Sequence, residues 1–107
     1  MTEAPAIDVQ EAYQRTQNGS LLLDVREPDE HAEAHIPGDR LLPLTEFIER
    51  YSQELPREQE IVVYCRSGRR SAQVVNFLLA QGYQAVNVTG GIIAWREAEL
   101  PVVSQDG

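Results

Sequence analysis

Lysine is absent from the 107 residues, cysteine and tryptophan occur once each, and histidine occurs twice. A single cysteine excludes an internal disulfide and fits a reducing compartment. No apolar run approaches the roughly 20 residues of a membrane span. The start, Met1-Thr2-Glu3-Ala4-Pro5, lacks the basic and apolar regions of a secretory leader. A cytoplasmic location is therefore expected. No His, Cys or Asp cluster has metal-ligand spacing, and no glycine-rich nucleotide loop is present. Neither metal nor other cofactor is expected. The net charge of −8 argues against nucleic acid or an anionic membrane as partner.

The charge that is present is unevenly placed. Residues 1–60 carry fourteen acids and five arginines, whereas residues 61–96 carry four arginines and no acid. A locally positive site in an acidic protein attracts a small anion and repels large polyanions. Three of these arginines, Arg66, Arg69 and Arg70, follow the only cysteine, Cys65, within five residues. They are costly to bury without anions.

The stretch Ile61-Val62-Val63-Tyr64-Cys65-Arg66-Ser67-Gly68-Arg69-Arg70-Ser71 reads as a buried strand, a tight loop and a helix start. Parallel-sheet proteins place reactive groups at such a junction. Gly68 permits a tight fold in which successive N–H groups share one concavity, and the helix adds its positive end. A cysteine there is expected to be a thiolate, titrating below its ordinary value of about 8.5. A lone cysteine after a strand is otherwise a small buried hydrophobe; the arginines argue for function.

Along the chain, 6–9 reads as a weak strand and 11–17 as a helix stopped by Asn18-Gly19. Leu21 to Val25 has the continuous apolar character of a central parallel strand. A short helix within 26–34 has Pro28 in its first turn. Residues 35–38 read as a turn. Pro43 restricts 41–44 to an edge strand. Thr45 is the expected N-cap of a helix over 46–51. Strands are expected over 61–64 and 85–88, with helices over 71–81 and 92–98 and a tail over 100–103 that lies back on the core. The length suits one domain, 1–107, with a core of about 6–103. The β-α alternation predicts an α/β sandwich with a mainly parallel sheet.

Three pieces, in this order, resemble the rhodanese family of sulfurtransferases: Leu22-Leu23-Asp24-Val25-Arg26-Glu27-Pro28 through His35-Ile36-Pro37-Gly38, Val63 through Ser71, and Gly90-Gly91-Ile92-Ile93-Ala94-Trp95. The resemblance covers residues 6–103. It implies a three-layer fold with a five-stranded parallel sheet between helices, and transfer of a sulfane sulfur through a cysteine persulfide. The sequence departs from the family at Ala34, where glycine is common, and at Asp39-Arg40, where small apolar residues are usual.

The resemblance implies Cys65 as nucleophile toward a small anionic donor such as thiosulfate, with a thiol or cyanide as acceptor. The backbone from Arg66 through Ser67, Gly68, Arg69 and Arg70 to Ser71 is expected to hold the persulfide. Two of the three loop arginines are expected to face the donor and one to meet solvent or an acid. Asp24 and Arg26 support the loop, either by approaching it or by bracing their own turn, with bracing preferred. His35 and Trp95 read as structural, and His31 as solvated. A monomer is expected.

Two other readings stand beside this one. A cysteine phosphatase of the cell-cycle type needs Arg six positions after the cysteine, and that position is Ser71. A persulfide carrier, loaded by a cysteine desulfurase and relaying sulfur to a partner protein, has the same sequence requirements as the transferase. Non-enzymatic domains of this kind typically lose the cysteine, which this chain keeps.

Overall fold

Two short apolar strands form the centre of the computed structural model, which describes residues 3–105. They are β2 (Leu21–Asp24) and β5 (Ile61–Tyr64), paired in parallel with Leu21 opposite Ile61 and Asp24 opposite Tyr64. Around them the chain adds β1 (Ala6–Ile7), α1 (Val9–Gln17), α2 (Pro28–Glu33), β3 (Ala34–His35), β4 (Arg40–Leu41) and α3 (Leu44–Glu54). After β5 come α4 (Arg69–Ala80), β6 (Ala85–Val88), α5 (Gly91–Glu97) and β7 (Val103–Ser104). The main sheet has five parallel strands in the order β1-β6-β5-β2-β4. β3 and β7 form a separate antiparallel pair.

Strand side chains alternate between faces, and this divides the core in two. Leu23, Val25, Ile61, Val63 and Cys65 face α3 and α4, where they meet Phe47, Val74, Val75 and Leu78. Leu22, Val62 and Tyr64 face the other way and pack with Ala12 of α1 and Ile92 and Trp95 of α5. The result is the expected three-layer α/β sandwich. It places the loop after β5 at the carboxyl end of a central strand.

Several boundaries differ from the sequence expectations, each for a local reason. The first strand stops at Ile7 because Asp8 caps α1, its carboxylate accepting the Glu11 N–H at 2.8 Å. The edge strand is Arg40–Leu41 rather than 41–44, with Leu23 and Asp24 as its register partners. Thr45 is not an N-cap: α3 begins at Leu44, whose N–H donates to Val25 O at 3.0 Å, and the Thr45 hydroxyl donates to Glu27 instead. α3 runs on to Glu54, helped by Arg50, which pairs with both Glu46 and Glu54. Ala34 and His35 are not turn or helix but a strand, because β7 pairs with them. α4 begins at Arg69, two residues early, since Gly68 adopts φ 101° and reverses the chain.

Candidate active site

The Cys65 thiol sits where the turn after β5 curls onto the start of α4. Its Sγ accepts the Gly68 N–H at 3.1 Å and the Ser71 N–H at 3.4 Å, and lies 3.3 Å from the Ser71 hydroxyl. One comes from the N-cap and the other from the first turn of a twelve-residue helix, so the positive end of the helix adds to the same point. Burial pushes the Cys65 thiol up, but the Ser71 hydroxyl and the N–H groups of Ser71, Gly68 and Ser67 outweigh it. The net shift is below the ordinary thiol value.

The Ser71 hydroxyl has one proton and two acceptors, Sγ at 3.3 Å and Asn87 Oδ1 at 2.6 Å. Asn87 is oriented by its own Nδ2, which donates to Gly68 O at 3.0 Å. The shorter contact holds the proton when Cys65 is neutral; a thiolate competes for it. Asn87 is a part of the site that sequence reasoning missed. Its signal was a polar amide in the middle of an otherwise apolar strand, Ala85-Val86-Asn87-Val88.

Two glycines let the loop and α5 meet. Gly91 has φ 55°, and a Cβ there would overlap the carbonyl oxygens of Cys65 and Arg66. Those same carbonyls accept the Ile92 and Ile93 N–H groups at 3.0 and 3.2 Å, so the N-terminus of α5 braces the loop from below. At Gly68 a Cβ would crowd Val88 O and Gly90 N.

The three loop arginines have three fates. Arg66 is exposed and lines a cavity of about 200 Å³ with Arg26, Glu30, Glu33, Ala34, Ile92, Ile93 and Arg96. Arg70 makes a two-pronged ion pair with Glu30, at 2.8 and 2.9 Å. Glu30 also accepts the Glu27 N–H at the start of α2. The Arg70 guanidinium beside it holds the Glu30 carboxyl down to about 2. Arg69 is exposed. Glu30 and Arg96 are further cavity residues that the local sequence pattern did not single out; each comes from a helix remote from Cys65 in sequence.

Asp24 and Arg26 brace their own turn. Asp24 is fully buried and takes a forked pair from Arg26, Nε to Oδ1 at 3.0 Å and Nη2 to Oδ2 at 2.8 Å. Arg26 Nη2 also donates to Ala34 O at 2.7 Å. No contact from Asp24 to Cys65 is part of this network. Trp95 is buried, its indole N–H donating to Pro101 O at 2.8 Å. His31, expected to be solvated, is instead drawn to Asp39, Nε2 to Oδ1 at 3.0 Å, and stacks on His35. The reason is the turn at Gly38, which returns the chain beside α2.

Comparison with known proteins agrees with this geometry. The rhodanese-like domain model matches residues 8–98. A sulfurtransferase of Allochromatium vinosum is 44% identical over 88 residues, covering 81% of each chain. The Arabidopsis thaliana protein named thiosulfate sulfurtransferase 18 is 31% identical, covering 97% of this chain and 87% of that one. A Bacillus subtilis protein named as a candidate sulfur carrier is 38% identical over 94 residues, and the match spans half of its length. Among solved structures, a rhodanese-related protein from Thermoplasma volcanium superposes with a TM-score of 0.87 at 35% identity, covering 92% of this chain and 97% of that one. The matched span contains the strand, loop and helix that hold Cys65, and on that basis the chain is a member of the rhodanese-like sulfurtransferase family.

Proposed function

We propose that this protein transfers a sulfane sulfur through a persulfide on Cys65, from thiosulfate or a similar anionic donor to a thiol or cyanide. The observation that carries the reading is the Sγ atom at the focus of backbone N–H donors at the head of α4. The thiolate attacks the outer sulfur of thiosulfate. A Cys65 S–S bond forms as the donor S–S bond breaks, and sulfite leaves with the bonding electron pair. The outer sulfur then passes to the acceptor, as thiocyanate from cyanide or as a new persulfide from a thiolate, and Cys65 returns as thiolate. No proton or oxidant is needed in either step.

A thiolate that already exists needs no base, so the loop's task is to hold negative charge. The N–H groups from Arg66 to Ser71 are preorganised to receive the persulfide anion. Arg66 supplies charge-assisted hydrogen bonds to the sulfonate oxygens and the departing sulfite, with Arg69 at the rim. Arg70 acts through its pair with Glu30, fixing the loop against α2. Cys65 is 1% exposed, so small reagents should reach it faster than bulky ones.

The carrier reading differs only in partner: a cysteine desulfurase loads Cys65 and a second protein unloads it. The relative named as a candidate sulfur carrier favours keeping it in view. Intact mass separates the two. A gain of one sulfur atom after thiosulfate alone supports the transferase. A gain that requires a desulfurase and free cysteine supports the carrier, and no gain from either would reject the persulfide.

A further inference from the structure

We propose that His31, His35 and Asp39 form a binding site for a divalent transition-metal ion of the zinc class, separate from the Cys65 centre. One donor atom from each of the three lies within 4.8 Å of the other two. His31 stands in the last turn of α2 and His35 in β3. Asp39 returns to them through the turn at Gly38, closed by the Asp39 N–H on Ile36 O.

The distances suit a small tetrahedral ion. Zinc bonds of 2.0–2.2 Å place neighbouring ligand atoms about 3.4 Å apart. His31 Nε2 and Asp39 Oδ1 are already 3.0 Å apart. The imidazoles are stacked, with centroids 3.9 Å apart and planes 11° from parallel, so ligation by both requires the rings to swing out of the stack about their side-chain torsions.

The supports around the three residues are those a metal site needs. His35 Nδ1 lies 2.9 Å from His31 O. A carbonyl only accepts, so Nδ1 carries the proton and Nε2 keeps its lone pair in the neutral ring. Asp39 Oδ2 takes the Tyr64 O–H at 2.6 Å, and the Tyr64 oxygen receives the Ile36 N–H at 3.1 Å. That leaves Oδ1 aimed at His31. The Asp39 side chain is 3% exposed and the His31 side chain 20%, which shields the donors while leaving an opening for water as fourth ligand. The neighbouring cation does not compete, because Arg40 donates to Glu54 O. Two imidazoles and one carboxylate select zinc, cobalt, nickel or copper over calcium or magnesium. Asp39 stands where the family resemblance leads one to expect a small apolar residue, so the site is expected to belong to this chain rather than to its relatives at large.

The test is a Co²⁺ and Zn²⁺ titration of the full, tag-free chain carrying Cys65→Ser, which removes the thiolate as a rival ligand. The expected result is one ion per chain. The Co²⁺ form should show the intense visible absorption of a four- or five-coordinate ion without a thiolate charge-transfer band. His35→Gln and Asp39→Asn should each weaken binding by at least about tenfold, and Tyr64→Phe, acting through Asp39, by about tenfold. If a variant does not fold, the histidine ring resonances of the Cys65→Ser chain give the answer without it: zinc should shift those of both His31 and His35. Absence of stoichiometric binding, unmoved histidine resonances, or affinity unchanged in both His35→Gln and Asp39→Asn would overturn the site.

Discussion

The ends of β2 and β5 lie side by side, and each couples a potential anion to an arginine: Asp24-Val25-Arg26 in one, Tyr64-Cys65-Arg66 in the other. Their outcomes are opposite. Asp24 and Arg26 are two residues apart, so the alternation of an extended chain puts them on one side, and they close on each other in a buried fork. Cys65 and Arg66 are adjacent, so they point apart. The sulfur turns in toward α4 and the guanidinium goes out to the cavity between α2 and α5. A carboxylate with its own buried cation is a brace. Cys65 instead meets N–H groups and a hydroxyl, with the Arg70 charge acting at longer range, and under the proposed function Arg66 is left to receive a visiting anion.

The sharpest way to break this contrast is to remove each anion. Cys65→Ser should reduce sulfur transfer to background, read as thiocyanate formation, while the thermal midpoint stays close to that of the parent. Asp24→Asn should do the reverse, leaving Arg26 buried without a counter-charge. A loss of about 3–5 kcal/mol is expected, seen as a fall in Tm of at least about 12 °C. If Asp24→Asn melted like the parent yet lost activity, Asp24 would be part of the chemistry and the bracing assignment would fail.

Next comes the free cation. Arg66→Ala should lower kcat/KM for thiosulfate about ten- to a hundredfold, less in high salt and less with a neutral persulfide donor. Arg69→Ala should cost less. Equal losses with charged and neutral donors would assign Arg66 to loop geometry instead of charge.

The thiolate can be titrated directly. The folded Cys65 value lies below its unfolded one. Its contribution to stability is therefore present above the unfolded pKa, about 8.5, and is lost as pH falls through the folded value. Alkylation by a small reagent should have its midpoint below about 8.5, and Ser71→Ala should raise that midpoint by about 0.5–1 unit. A parent midpoint at or above 8.5 contradicts the N–H cradle.

The smallest effect concerns the outer ion pair. Glu30 is held down to about 2 by Arg70 and is partly exposed. Its contribution is present above the ordinary carboxylate value near 4.5 and disappears as pH falls toward 2. Both partners are about a third exposed, so solvent screens the pair, and Glu30→Gln should cost no more than about 1 kcal/mol at neutral pH, measured by denaturant titration.

Much of the fold was legible in the residues. Continuous apolar runs at Leu21–Leu23 and Ile61–Val63, glycines at the turns and the β-α alternation predict a parallel sheet, and the sheet is there. The loop from Cys65 to Ser71 was legible as a unit because its donors are local in sequence. Less legible was whatever depends on a distant partner. Thr45 has the chemistry of a cap, but Glu27 takes its hydroxyl. Ala34 and His35 become a strand only when Val103 and Ser104 arrive beside them.

Local chemistry thus determined which atom is the candidate nucleophile, where the chain turns, and which face of each strand is apolar, because these follow from residue type and from spacings of a few residues. The tertiary structure alone decided how the charges are matched. It paired Arg70 with Glu30 across 40 residues, set Asn87 behind Ser71, and gathered His31, His35 and Asp39 beneath Tyr64. Side chains with freely rotating polar ends find partners by proximity, and proximity between remote segments exists only once the sheet has fixed the order of its strands.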